Sequence, residues 1–201
     1  MRVLVVGGTG TIGSAISDAL VAAGHDVMRA GRSSGDFTVD VADRDSIRAL
    51  YRAVVPVDAV VCAAGQARFG ALAELEDADF DLSIASKMMG QVDLVRLGVD
   101  RVTPGGSFTL TTGSLSAKPT PGSAAVAMVG AAVEGFVRAA ALDLDEHRLN
   151  AVSPGWVAES RVAAGLDPLP GIWAEDLAEY YVSVVEGTET GRVLLAEEAM
   201  P

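Results

Sequence analysis

Short apolar runs rich in β-branched residues alternate with longer Ala-rich segments of helical spacing from one end of this 201-residue chain to the other. That alternation is the pattern of parallel strands joined by right-handed helical crossovers. Strands are predicted near Val3–Val6, Asp26–Ala30, Phe37–Asp40, Ala59–Cys62, Ser107–Thr111, Leu149–Val152 and Gly191–Leu195. Helices are predicted near Ile12–Ala23, Arg44–Ala53, Asp77–Gly98, Ser123–Glu146 and Ala174–Glu186, each with one apolar stripe. The expected fold is α/β: one doubly wound parallel sheet of about seven strands in a single domain over residues 1–201.

Two stretches resist the pattern. Ser116–Ser123 is turn-rich, and Trp156–Gly171 carries Gly165, Pro168, Pro170 and Gly171 with little periodicity, so it reads as a long mobile loop. Both follow strand ends on the side where open parallel sheets bind ligands, which makes them the expected walls of a cleft for a moderately apolar small molecule.

The chain has 27 acidic residues against 15 Lys and Arg, a formal charge of −12. With no basic run, nucleic acid and anionic membrane surfaces are poor partners. No stretch reaches the roughly 18 apolar residues of a membrane span, and the run before Gly7 is too short for a signal-peptide core, so a cytoplasmic protein is expected. Cys62 is the only cysteine, which excludes an intrachain disulfide and points to a core position; no Cys/His cluster has metal-ligand spacing.

The first strand runs into Gly7-Gly8-Thr9-Gly10-Thr11-Ile12-Gly13 and then directly into an Ala-rich helix. Gly7 permits a tight turn, Gly10 lets backbone N–H groups approach a pyrophosphate, and Gly13 lets the helix press on the sheet with its N-terminus facing the anion. This is the Rossmann-like way of holding a dinucleotide. An NAD site usually has an acid at the end of the second strand, but here the chain reads Arg29-Ala30-Gly31-Arg32-Ser33. Arg32 with Ser33 offers a fork of donors for a 2′-phosphate, which favours NADP(H) over NAD(H).

Taken in order, these landmarks resemble the short-chain dehydrogenase/reductase family over nearly the whole chain. Gly7–Gly13 matches its GxxGxxG turn, and Asp40-Val41 resembles its adenine-contacting pair. Cys62-Ala63-Ala64-Gly65 is similar to its Asn-Asn-Ala-Gly strand end, and Ser153-Pro154-Gly155 resembles the turn bordering the nicotinamide. The resemblance implies cofactor contacts from Gly7, Thr9, Gly10, Thr11, Ile12, Gly13, Arg32, Ser33, Asp40, Val41, Ala63, Ala64, Gly65, Pro154, Gly155 and Val157. It also implies a Ser-Tyr-Lys-Asn tetrad, which this chain lacks. The YxxxK positions read Val126-Ala127-Met128-Val129-Gly130, and the Ser position falls on Gly113, beside Thr112 and Ser114.

Two catalytic candidates remain. Ser114 is a neighbouring hydroxyl that can partly substitute for the serine. Lys87 occupies the place of the tetrad Asn, three residues before Gly90, in an apolar stretch. On the cleft side its amine would reach the cofactor ribose or a substrate oxygen, and a buried lysine exchanges protons nearer neutrality; exposure on an amphipathic helix is the alternative. His25 and His147 read as surface or capping residues, and Tyr180 and Tyr181 as core or subunit contacts. Gln66 and Arg68 lie just past the fourth strand, within reach of a ligand.

Three functions fit: an NADP(H)-dependent oxidoreductase acting on a small carbonyl or alcohol, a dinucleotide-binding sensor without turnover, or a non-redox enzyme on the same scaffold. The small-residue face of the Ser123–Glu146 helix, together with the family likeness, implies a homodimer or homotetramer.

Overall fold

In the first strand, β1 (Arg2–Val6), Val3, Leu4, Val5 and Val6 are all fully buried. Val3 and Val5 pack into one apolar layer, and Leu4 and Val6 into another on the opposite face. A strand apolar on both faces needs cover on both sides, as parallel sheets have. The structure, a computed structural model, describes residues 1–197. The remaining strands are β2 (Asp26–Gly31), β3 (Phe37–Thr38), β4 (Val57–Cys62), β5 (Val102–Thr111), β6 (Arg148–Pro154) and β7 (Val193–Ala196). They form one parallel sheet in the order β3-β2-β1-β4-β5-β6-β7.

The helices are α1 (Thr11–Ala22), α2 (Arg44–Ala53), α3 (Asp77–Ser83), α4 (Gly90–Gly98), α5 (Ala124–Ala140), α6 (Ala158–Ala163) and α7 (Ala174–Glu186). Ile47 of α2, Leu94 of α4 and Val133 and Val137 of α5 fill one layer; Ile16 and Leu20 of α1 with Leu177 and Tyr181 of α7 fill the other. Strand order reverses between β1 and β4, and the crevice this opens at the C-terminal strand ends holds one candidate binding cavity; a second lies beyond the ends of β5 and β6. Among the described residues, no helix is long and apolar enough to cross a membrane.

Local structure departs from the sequence expectation in four places. The helix expected over Asp77–Gly98 is broken in type: α3 passes into a π-helical segment, Ile84–Met89, and then into α4. The loop after β4 is fastened to this stretch, because Ser83 and Ser86 accept the N–H groups of Arg68 and Gln66 through their hydroxyls, each at 3.0 Å. Within the wider π turn the Lys87 carbonyl accepts the Gln91 amide at 2.8 Å.

The helix expected over Ser123–Glu146 stops at Ala140, before Asp143, Asp145 and Glu146, where acids would oppose the helix dipole. Strand β3 is two residues long, since Val39 and Asp40 already turn toward α2. Lastly, Trp156–Gly171 is not irregular throughout. It holds α6, and Val157 forms a bridge with Ile172. The last four residues of the expected domain, 198–201, lie outside the described ones.

Candidate active site

The glycine turn is shaped by backbone contacts. Gly7, at φ 84°, occupies the left-handed region, and a Cβ there would sit 2.8 Å from the backbone of Ala63 and Ala64. A Cβ on Gly13 would collide with the Gly7 carbonyl, whereas one on Gly10 would meet only that oxygen at 3.5 Å. The Ala30 carbonyl accepts from Gly7 and Gly8 N–H at 2.7 and 3.1 Å, anchoring the turn to the end of β2.

The N-terminus of α1 is bare. It has no side-chain cap and no acid in its first turn, and among the described residues the N–H groups of Thr11, Ile12 and Gly13 find no acceptor. Three other helices are closed by carboxylates: Asp43 accepts Asp45 N–H on α2, Asp79 reaches back to Glu76 N–H on α3, and Glu159 accepts Ala174 N–H on α7; α5 shares the bare end. Oriented N–H groups and the positive end of the helix dipole make such an end an anion site.

Gly10, which precedes these N–H groups, is one wall of a cavity of about 320 Å³ that is also lined by Gly7, Thr9, Gly31, Arg32, Val39, Val41, Ala63, Ala64, Gly65 and Gln66. The Arg32 guanidinium lies 3.7 Å from the Asp40 carboxylate, whose Oδ1 also accepts Ala42 N–H at 3.0 Å. Ser33 is exposed on the same turn, beside the lining rather than in it. Arg29 is spent on Asp18 at 2.6 Å, which leaves Arg32 as the guanidinium of this cavity.

Lys87 comes from the π-helical segment. Gly65, at φ 115°, approaches it so closely that a Cβ there would lie 3.0 Å from both Lys87 Cα and Lys87 Cδ. Three residues on, at the first position of α4, Gly90 packs as tightly on Val41. The segment is thus wedged between two walls of the small cavity, although Lys87 lines neither cavity itself. Burial pushes the Lys87 amine below its ordinary value, an effect partly opposed by the Cys62 thiol. Its ammonium has no hydrogen-bond partner among the described residues. Cys62 is fully buried, as expected, and burial pushes its thiol up to about 11.

A second cavity, of about 690 Å³, opens beside β5 and β6. Its lining includes Ser114, Leu115, Lys118, Gly155, Trp156, Leu169, Pro170, Ile172, Trp173, Asp176 and Glu197. Ser114 sits in a single 3₁₀ turn and is half-buried, its carbonyl accepting Lys118 N–H at 2.8 Å. Lys118 pairs with Glu197 at 2.5 Å across the rim. Pro154 is buried at the strand end, Gly155 faces the cavity, and Val157 turns into the core.

The structure therefore distributes the expected site residues over two cavities. Gly7, Thr9, Gly10, Arg32, Val41, Ala63, Ala64 and Gly65 line the smaller one. Ser114 and Gly155 line the larger, and among the described residues no hydrogen bond joins Ser114 to Lys87. Gln66 lines the small cavity, while Arg68 is taken up by Asp79 at 3.3 Å. His25 pairs with Glu186, and His147 Nε2 contacts the Val102 carbonyl at 3.0 Å, both away from the cavities. Tyr181 is a core residue whose hydroxyl meets Thr111 Oγ1 at 2.7 Å.

Sequence reasoning missed Trp173, Asp176 and Glu197, which reach the cleft from α7 and the end of β7. It also missed Gln91, whose side chain bonds Thr111 N–H and C=O and so ties the Lys87 segment to the end of β5. A buried amide is the only trace such a clamp leaves in a sequence.

Residues 8–182 match the family described as Enoyl-(Acyl carrier protein) reductase. A short-chain dehydrogenase/reductase of Stachybotrys chlorohalonatus is 29% identical over 185 residues, covering 76% of this chain and 72% of that protein. Among solved structures, the protein lin1944 from Listeria innocua is 38% identical with a TM-score of 0.92, over 97% of this chain and 98% of that one. A small-chain dehydrogenase in complex with NADPH is 27% identical with a TM-score of 0.87, over 98% and 96%. Fold, glycine turn and sequence agree: the chain belongs to the short-chain dehydrogenase/reductase family.

Proposed function

We propose that the chain is an NADP(H)-dependent oxidoreductase that interconverts a small carbonyl compound and its alcohol at a non-standard active site. The observation that carries this reading is the uncapped N-terminus of α1, open to a glycine-lined cavity that holds one guanidinium, Arg32. The donors suit a dinucleotide: Gly7, Thr9, Gly10, Thr11, Ile12 and Gly13 would cradle the pyrophosphate. Arg32 and Ser33 would take a 2′-phosphate, which favours NADP(H), and Asp40 and Val41 would flank the adenine. Ala63, Ala64 and Gly65 would form the floor, and Pro154, Gly155 and Val157 the border of the nicotinamide. The NADPH complex of a relative 27% identical supports the same choice.

When bound, a nicotinamide supplies or accepts the hydride at the carbonyl carbon. The chain's own residues position the substrate and handle the proton. The Ser114 hydroxyl orients the carbonyl oxygen in the large cleft, and the Lys87 ammonium, outside the lining, passes a proton to that oxygen through water and is reprotonated from solvent. Lys87 takes this role because α5 offers Val126 and Gly130 where the family carries Tyr and Lys, and neither moves a proton.

The test is nucleotide binding by calorimetry followed by NADPH oxidation with a carbonyl panel. Lys87→Met is expected to cut turnover by roughly 10²- to 10⁴-fold while changing nucleotide affinity by less than about threefold. Arg32→Ala is expected to weaken NADPH at least tenfold and leave NADH nearly unchanged. Failure of both coenzymes to bind would overturn the proposal. Loss of the family's Tyr and Lys favours a second reading, a dinucleotide sensor, for which binding without oxidation across the panel would be the signature.

The same reading includes self-association. Ala124, Ala131, Ala132, Gly135 and Ala139 lie exposed on α5, a face flat enough for a second copy to pack closely. Light scattering at micromolar concentration should give at least a dimer; a monomer would refute this part.

A further inference from the structure

We infer that the large cleft takes an uncharged, flat, ring-bearing carbonyl compound, held by stacking on Trp156 and Trp173, rather than a chain-like or anionic substrate. This rests on the oxidoreductase reading above and narrows its substrate class.

The chain has two tryptophans, and both line this cleft. They remain 41% and 46% exposed, and Leu169, at 68%, opens onto the same cleft, so its lining presents a cluster of exposed apolar side chains. Their positions are set in advance. The Trp156 ring meets Phe69 edge-on, with centroids 6.2 Å apart and planes at 63°, and the Arg161 guanidinium lies 6.0 Å from it. The Trp156 carbonyl accepts Ile172 N–H at 2.8 Å, and Glu159 accepts the N–H of Ala174, just past Trp173. Flanking the Val157–Ile172 bridge, the two indoles are carried by one braced piece of backbone. Rings presented this way stack on a flat ligand at little cost in conformational freedom.

Charge argues against anionic substrates. Lys118, the cation in the lining, is engaged by Glu197, and Asp176 adds a second carboxylate. Arg161 lies nearby but donates to the carbonyls of Asp167 and Leu169, at 2.7 and 3.0 Å. A carboxylate or phosphate entering here would meet two carboxylates in the lining and no cation with its donors free. The volume of about 690 Å³ suits a molecule of two or three rings.

The test uses the full chain and its two indole N–H resonances in a ¹H–¹⁵N spectrum, assigned with Trp156→Phe and Trp173→Phe. Acetylnaphthalene should shift both signals and bind at least tenfold more tightly than either naphthoate or a straight-chain methyl ketone of equal carbon number. Trp156→Ala should weaken acetylnaphthalene by about three- to tenfold, with Trp156→Phe within about twofold of the parent. Equal binding of the straight-chain ketone, tighter binding of naphthoate, or unchanged affinity in Trp156→Ala would overturn the inference. NADPH affinity, measured on the same samples, separates the two failures: loss of nucleotide binding with acetylnaphthalene still bound counts against the oxidoreductase reading and leaves the cleft's preference for flat neutral rings standing.

Discussion

The two cavities at the C-terminal edge of the sheet are built on opposite principles. The proposed nucleotide cavity is largely backbone: Gly7, Gly10, Gly31 and Gly65 line it, and the N–H donors of Thr11, Ile12 and Gly13 follow Gly10 at the start of α1. The proposed substrate cleft is made of side chains drawn from the 3₁₀ turn after β5, the bridge around Ile172, the start of α7 and the end of β7. At Gly7 and Gly13 the backbone leaves no room for an added atom. Recognition by side chains can be re-cut one residue at a time, so one half of the site can stay rigid while the other changes its substrate.

The sharpest way to break this contrast is to add one methyl group to each half. Gly13→Ala puts a Cβ into the Gly7 carbonyl, so the turn must open. We expect at least a hundredfold loss of NADPH affinity by calorimetry, with a stability loss of about 3 kcal/mol or more in denaturant melts. Retention of wild-type affinity would show that the cradle is not set by close contact.

A smaller effect is expected at the junction of the halves. Burial lowers the Lys87 pKa in the folded chain, so between that value and the ordinary 10.5 the unfolded state binds the extra proton. Wild-type stability should therefore rise with pH through that window. At neutral pH the burial that lowers this pKa is a standing cost, so Lys87→Met should be more stable than wild type, with the margin narrowing as pH approaches 10.5. Urea melts across pH check the sign, and a variant less stable at neutral pH would contradict it. Gain of stability with loss of turnover in one variant would mark Lys87 as a residue kept for function.

The smallest effect belongs to the cleft side. A Cβ on Gly113 would meet only the Pro154 carbonyl, at 3.9 Å, and its φ of 173° is extended backbone that any residue adopts. Gly113→Ala should stay within about 0.5 kcal/mol of wild type. A large loss would show that the cleft half is as tightly specified as the nucleotide half.

The same contrast explains what the sequence disclosed. The parallel sheet was legible because Val3–Val6 and Ala59–Cys62 carry unbroken apolar runs. The phosphate turn was legible because its glycines are neighbours and its helix follows at once. The π-helical turn left no such mark, since it depends on hydroxyls of Ser83 and Ser86 meeting a loop 15 and 20 residues away. The rim pair of Lys118 and Glu197 spans 79 residues. Trp156 was visible as part of an aperiodic stretch, but Trp173 looked like the approach to a helix, and only the Val157–Ile172 bridge brings the two to one cavity.

Cys62 ends the strand at the centre of all this, fully buried, with its thiol donating toward the Ala64 carbonyl at 3.7 Å. As the sole sulfhydryl in the chain, and one that burial keeps protonated, it is silent toward alkylating reagents while the sheet is closed. Its rate of labelling is consequently a built-in clock for the opening of β4. A bound dinucleotide, by holding the neighbouring Ala63–Gly65 backbone, would slow that clock without touching the sulfur.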